Sequence, residues 1–235
     1  MLPDLSFLVL TTYQPVGILL PMGSAEGCRS SATGSRQKLL DVSLKLLREK
    51  GYAATSVDSL CDAAGVTKGA FFHHFKSKDA LAVASAAYWG ECTSAFFAAA
   101  SYHSHNDPLE RVLGYLDFRK AMLAGTLSEI SCLAGTMIQE VYQSHPEIAR
   151  ACEATITDHA ANVEKDIAAA IEHYRIDADW TASSLALYTQ VVLQGAFILA
   201  KAKEGTQVAI DSIDHLRRYI ELLFRKEVRK AQDER

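Results

Sequence analysis

Between residues 67 and 78 the chain gathers groups able to meet a polyanion: Thr67, Lys68, His73, His74, Lys76 and Lys78, interleaved with the small pair Gly69 and Ala70. A lysine ammonium can donate to guanine, an alanine methyl can meet a thymine methyl, and histidine can donate to a base edge or a phosphate. Lys68, Ala70, His73 and His74 are therefore the candidates for base contact. Thr55, Thr67, Lys76 and Lys78 suit the phosphate backbone, and bulk at Gly69 or Ala70 would hold the segment away from a groove. Covalent chemistry has no comparable support. H-E-x-x-H and G-x-S-x-G are both missing from the sequence, and Gly65-x-x-x-Gly69 lacks the strand and further glycines of a phosphate loop. Glu140, His145 and Glu147 straddle a proline boundary, and His103 and His105 have no carboxylate or cysteine at ligand spacing. No catalytic residue, metal or cofactor is expected.

Two short helices must carry these groups. Val57, Leu60 and Cys61 repeat at i, i+3 and i+4, behind Thr55 as a candidate N-cap and Asp58 over the first turn. Gly65 supplies a stop in the left-handed region. Thr67 then caps a second helix, Lys68 to His74, whose inner side holds Phe71 and Phe75 with Phe72 beside them. Two short helices around a glycine turn form the helix-turn-helix pattern, whose second helix enters a major groove. A packed helical hairpin with no nucleic acid partner would use the same spacing.

The residues themselves are more specific. The run from Gly65 to Leu81 resembles the DNA-binding domain of TetR-family transcriptional regulators at Gly65, Val66, Thr67, Gly69, Phe71, His74, Phe75, Lys78, Asp79 and Leu81. The likeness reaches upstream through Leu47, Gly51, Tyr52, Thr55, Ser56, Val57 and Ala64, and so covers Arg36 to Leu81. Phe72 departs from it, because the family usually has tyrosine there and the ring here carries no hydroxyl for a phosphate. The resemblance implies an all-α fold. An N-terminal three-helix helix-turn-helix domain would be joined to a larger helical ligand-binding and dimerisation domain. It also implies a homodimer on a palindromic DNA operator, usually a repressor released by a small molecule.

Charge distribution agrees. The net charge is −4, yet Arg29 to Ala80 holds nine Lys/Arg against five Asp/Glu, while Leu81 to Arg235 holds fifteen against twenty-one. A basic module on an acidic body is the footprint of one end touching phosphate. Cys28, Cys61, Cys92, Cys132 and Cys152 show neither C-x-x-C spacing nor a histidine pattern, which speaks for a reducing, cytoplasmic setting and against a disulfide scaffold. Leu5 to Leu20 is apolar but short for a bilayer, with Asp4 where an export signal would want positive charge. Residues 1–34 are expected to be a disordered extension, with Met22 an alternative start.

Domain boundaries then fall at residues 35–81 for DNA binding and 82–228 for the body. A leucine-rich helix from Gln37 to Lys50 covers the two-helix motif, and a long helix from Lys78, capped by Ser77, forms a lever. Further helices are expected over Leu109–Leu123, Cys132–Tyr142, from Pro146 to Ile171, over Trp180–Lys203 and from Thr206 onward. Residues 125–131 read as a loose connection and the charged end after Phe224 as a frayed tail. A pocket for a mostly apolar ligand is expected among Phe96, Phe97, Tyr115, Phe118, Met122 and Met137, with Tyr142, His159, Tyr188, Gln190, Gln194 and Phe197. The Trp180–Lys203 helix is apolar nearly all round and must be covered on every side. Leu193, Gly195 and Ala196, with Leu216, Tyr219, Ile220 and Leu223 of the last helix, are the candidate dimer surface. A helical effector-binding or adaptor protein that no longer binds DNA is the alternative reading.

Overall fold

The leucine run from Leu39 to Leu47 dictates the first element, α1 (Ser35–Lys50), in the computed structural model of the chain, which describes residues 34–233 and side chains to residue 224. The expected N-terminal extension, Gly34 apart, lies outside the described residues, as does the Met22 start. Gly51 ends α1 at φ 82, a conformation cheap only for glycine, and a Cβ there would run into the Glu140 carboxylate. The cap of α2 (Val57–Ala64) is Ser56, one residue later than the sequence suggested. Ser56 Oγ accepts from the Ser59 amide and Ser59 Oγ from the Ser56 amide, each at 3.0 Å. Gly65 closes α2 at φ 61. Thr67 Oγ1 accepts from the Ala70 amide at 3.1 Å and starts α3 (Lys68–His74). Ser77 likewise caps α4 (Lys78–Ala98), a lever of ~30 Å.

The body holds α5 (Pro108–Ala121), α6 (Leu127–Ile130), α7 (Leu133–Val141), α8 (Pro146–Tyr174), α9 (Ala182–Ala202) and α10 (Gln207–Asp233). Regular structure among the described residues is entirely helical. Two expectations fail here. The connection at 125–131 contains α6, because Thr126 and Glu129 form a capping box with the Thr126 amide 2.8 Å from Glu129 Oε2. Those bonds from Thr126 hold the Glu129 carboxyl below its ordinary range. The charged C-terminal stretch continues α10 through residue 233 rather than fraying after Phe224; Lys, Glu, Arg, Ala and Gln are all good helix formers.

Packing divides into three apolar clusters. Leu39, Leu40, Leu60, Cys61, Phe71, Phe75 and Leu81 close the small N-terminal module. Leu44, Leu47 and Tyr52 instead join Trp89, Met137, Val141, Ile148 and Cys152 of the body. The third cluster runs through α5, α8, α9 and α10. So α1 serves two cores, one on each side. A module of this size buries too little to be stable alone, and α1 is where it draws on the body. Cys61, Cys132 and Cys152 are free thiols, whereas Cys92 is disulfide-bonded, which departs from the expected reducing setting.

Candidate nucleic-acid interface and ligand cavity

The amphipathic split of α3 decides what it shows to solvent. Phe71 is fully buried and Phe75 nearly so, which turns Thr67, Lys68, Gly69, Phe72, His73 and Lys76 outward and leaves Ala70 and His74 half-buried. Phe72 is 55% exposed, a large apolar ring that meets the buried Phe71 edge-on at 5.1 Å and leaves its outer side in solvent. The histidines differ. His73 stays open, whereas His74 Nε2 lies 2.7 Å from Ser35 Oγ and ties α3 to the first residue of α1.

Three of the residues singled out for DNA are already engaged. Thr55 is buried and its hydroxyl donates to the Gly51 carbonyl at 2.7 Å, so it closes the α1–α2 turn and does not face outward. Lys78 Nζ donates to the Tyr52 carbonyl at 3.0 Å and lies 4.0 Å from the centre of the Tyr52 ring. The Tyr52 hydroxyl donates to Asp79; burial and that carboxylate push the phenol well above its ordinary range. Lys78 thus fastens the start of α4 to the turn. Lys68 Nζ is 2.7 Å from Asp58 Oδ1, which raises its pKa, and the exposed pair must open before the ammonium can reach a base. Lys76 is exposed at this edge, with no hydrogen bond or ion pair among the described residues.

A small cavity of about 30 Å³ lies in the body, walled by Trp89, Thr93, Phe97, Arg119, Ile130, Ser131, Cys132, Thr155, Ile156, His159, Gln190, Gln194 and Phe197. It brings together five of the expected pocket residues: Phe97, His159, Gln190, Gln194 and Phe197. Tyr115 stands just behind, its hydroxyl 3.0 Å from His159 Nε2. Burial and the Arg119 charge depress the His159 imidazole to about 3, so it is neutral here. Phe96, Phe118 and Met122 pack on the body core outside this wall, with the Phe118 ring 5.2 Å from Phe96 and 5.6 Å from Phe97. Met137 belongs to the middle cluster, Tyr142 is exposed after α7, and Tyr188 lies on the outer surface with its ring 5.5 Å from Tyr219. Those residues do not line the cavity. A more open groove of about 270 Å³ adjoins it and shares Ser131, Cys132, Gln194 and Phe197 as its partition.

Arg119 is the main residue that sequence reasoning missed. The signal was present: Val112, Leu116 and Leu123 set the inner stripe of this segment, and Arg119 falls on the same face. A charge at a core position is the exception that needs a reason.

The outer face of α9 and α10 also revises the expectation. Leu193, Ala196, Leu216 and Ile220 point into the protein's own core. Exposed instead are Leu187, Tyr188, Val191, Ile198 and Leu199 of α9, with Tyr219 and Leu222 of α10. Gly195 belongs to this face, since a Cβ there would meet nothing within 4 Å. α9 is long and apolar enough to cross a membrane by length and composition, but it packs between α8 and α10 and starts at a polar cap, Thr181 with Ser184.

Residues 39–84 match the model of the bacterial regulatory proteins of the tetR family. That segment of the chain is similar to the DNA-binding part of the tetR family. It is 42% identical over 52 residues to the transcriptional repressor KstR2 of Rhodococcus jostii, spanning 22% of this chain and 26% of that protein. It is likewise 42% identical over 57 residues to the transcriptional regulator AcrR of Shigella flexneri, spanning 24% of this chain and 26% of the relative. The matched segments therefore cover about a quarter of these relatives, at the helix-turn-helix end. The fold likeness is wider. A TetR-family regulator from Agrobacterium tumefaciens superposes with a TM-score of 0.69 at 19% identity, over 80% of this chain and 96% of the other. The all-helical two-part architecture is thus that of the family, while the body sequence has diverged.

Proposed function

We propose that the protein is a dimeric, ligand-responsive regulator that reads a palindromic operator through α3 and usually represses until a small molecule releases it. Residues 35–81 act as the reading unit and residues 82–228 as the effector-binding and dimerisation unit; a role in binding operator DNA is in keeping with a cytoplasmic, non-enzymatic protein. The observation that carries the reading is the outward face of α3, capped at its start by Thr67, with Thr67, Lys68, Phe72 and His73 in solvent and Gly69 and Ala70 leaving room for a groove wall. One such helix reads only a few base pairs, so two copies about 35 Å apart would read successive major grooves. The apolar outer face of α9 and α10, with Gly195 allowing close approach, supports pairing of two copies as a four-helix bundle.

The contacts between body and reading unit supply a route for release. Glu140 of α7 accepts the Tyr52 amide at 3.2 Å and the Ala53 amide at 2.7 Å, in the turn before α2. Arg48 of α1 donates to the Glu129 carbonyl of α6 at 3.0 Å, and Lys201 of α9 reaches the Arg48 carbonyl at 3.4 Å. Occupation of the cavity between α4, α5, α6, α8 and α9 would shift α6 and α7 against α1 and rotate the heads out of register. By linkage, operator DNA must then weaken the ligand equally. Selection of binding sequences from random duplexes tests the reading. A palindrome with half-sites about one turn apart is expected; recovery of no enriched sequence from a folded, dimeric sample would refute it.

A further inference from the structure

Arg119 lies on the inner face of α5 with only 8% of its surface exposed, its guanidinium carbon 5.3 Å from the Phe97 ring centre and 5.4 Å from that of Phe197. Among the described residues it makes no hydrogen bond and no ion pair. Two other arginines of the body have carboxylate partners: Arg111 pairs with Asp166 at 2.6 Å and Arg217 with Asp117 at 3.0 Å. A buried cation without a counter-charge is costly, and two ring faces offset only part of that cost. The side chain points into the cavity wall, and every other polar group there is neutral.

Those neutral groups are mostly engaged within the protein: the Thr93, Ser131 and Thr155 hydroxyls donate to backbone carbonyls, and Gln190 Nε2 also donates to Thr189 Oγ1. Gln190 Nε2 donates to the Tyr115 hydroxyl oxygen at 3.3 Å, which frees the Tyr115 proton for His159 Nε2 at 3.0 Å. A neutral His159 that accepts at Nε2 carries its own proton on Nδ1, as a second donor beside Arg119. The adjoining groove adds Lys201, whose ammonium makes two long contacts of 3.4 Å, to the Arg48 carbonyl and Thr136 Oγ1. The carboxylate in the groove wall is Glu140, already committed to two backbone amides. Gln194 separates cavity from groove. It folds against Gly135, where a Cβ would come within 2.0 Å of Gln194 Oε1, so this side chain is a flap held by van der Waals contact.

We propose that the cavity binds a small organic monocarboxylate, its carboxylate seated on the Arg119 guanidinium and its short apolar tail passing Gln194 into the groove. A carboxylate matches the planar fork of arginine in two parallel hydrogen bonds. One unpaired guanidinium among neutral groups balances one negative charge, which disfavours a phosphate dianion. The tail lies between Phe97, Phe197 and Ile156, and the cavity must widen to admit it, because about 30 Å³ holds little more than one water. Calling this ligand the effector rests on the regulator reading above; the site itself does not.

Calorimetric titration and thermal melts of the full-length protein test the site, with benzoate and octanoate as probes and benzamide, octanamide and sodium phosphate as controls. Either acid is expected to bind and to raise the melting temperature, the amides and phosphate to do neither. Arg119→Met should weaken the acid about 10- to 100-fold, as loss of charge-assisted hydrogen bonds does, while Arg119→Lys, which keeps the charge without the fork, should fall between. Equal binding of acids and amides, stronger binding of phosphate, or unchanged acid affinity in Arg119→Met overturns the proposal, as does failure of both acids at 10 mM. Where Arg119→Met does not fold, the acid-to-amide ratio on the native protein decides alone. DNA release is read separately on the selected operator. Acid binding without release spares the site and removes its role as effector site, while failure to select any operator refutes only the regulator reading.

Discussion

The depressed His159 imidazole gives the sharpest test of the body's interior. Its pKa of about 3, against 6.5 for the free side chain, means that the unfolded chain takes up a proton between those values and the folded chain does not. Stability is therefore fully present above pH 6.5 and drains as pH falls toward 3. Between pH 7.5 and pH 5 this one group removes about 2 kcal/mol, because each pH unit below the unfolded value costs roughly 1.4 kcal/mol while only the unfolded chain holds the proton. The physical origin is specific. Burial removes the ring from water, with Phe97 at 4.6 Å between centroids; Arg119 contributes like charge, and Nε2 lies 3.0 Å from the Tyr115 hydroxyl. Urea unfolding of the native protein and of His159→Gln at both pH values isolates the group, because glutamine keeps a polar partner for Tyr115 but does not titrate. The native protein should lose about 2 kcal/mol more than the variant over this span. Parallel losses in the two proteins would show that His159 is solvated or charged in the folded state, and the picture of a closed cavity would fall with it.

Other outcomes follow from the same contacts. Lys78→Ala should lower stability by about 1 kcal/mol, since it removes a carbonyl bond and a cation–π contact; Lys76→Ala should leave the melting temperature unchanged yet reduce the salt slope of DNA binding by about one. An unaltered slope for Lys76→Ala would remove it from the phosphate contacts. Glu140→Ala should preserve dimerisation but reduce ligand-induced release by at least a few fold, measured at saturating ligand as the ratio of operator affinities with and without it; an unchanged ratio rules out the α7 route. Val191→Glu, at a site 67% exposed on α9, should yield a folded monomer in sedimentation analysis, whereas a persistent dimer would place the interface elsewhere. Phe71→Ala should cost about 3–5 kcal/mol and unfold the reading unit, seen as loss of operator binding with the body's melting transition retained.

What the sequence determined by itself is local. Gly51 and Gly65 at positive φ, the caps Thr67 and Ser77, and the Phe71/Phe75 side of α3 follow from rules that act over a few residues, and family resemblance concentrates in that same stretch. Where two local rules competed, reading alone erred: Thr55 and Ser56 are both good caps, and only the burial of Thr55 under the α1–α2 turn assigns the role to Ser56. Tertiary structure decided whatever depended on direction around a long helix. An α9 apolar on all sides carries no label for its inner face, so Leu193 and Ala196 could be separated from Val191 and Ile198 only by the helices that cover them. It likewise decided that Lys78 turns onto Tyr52, that Lys68 meets Asp58 across the helix turn, and that Arg119 is enclosed without a counter-ion. Each of these is a contact between residues distant in the chain or on different elements, and spacing along one stretch of sequence holds no record of which side chain will be waiting there.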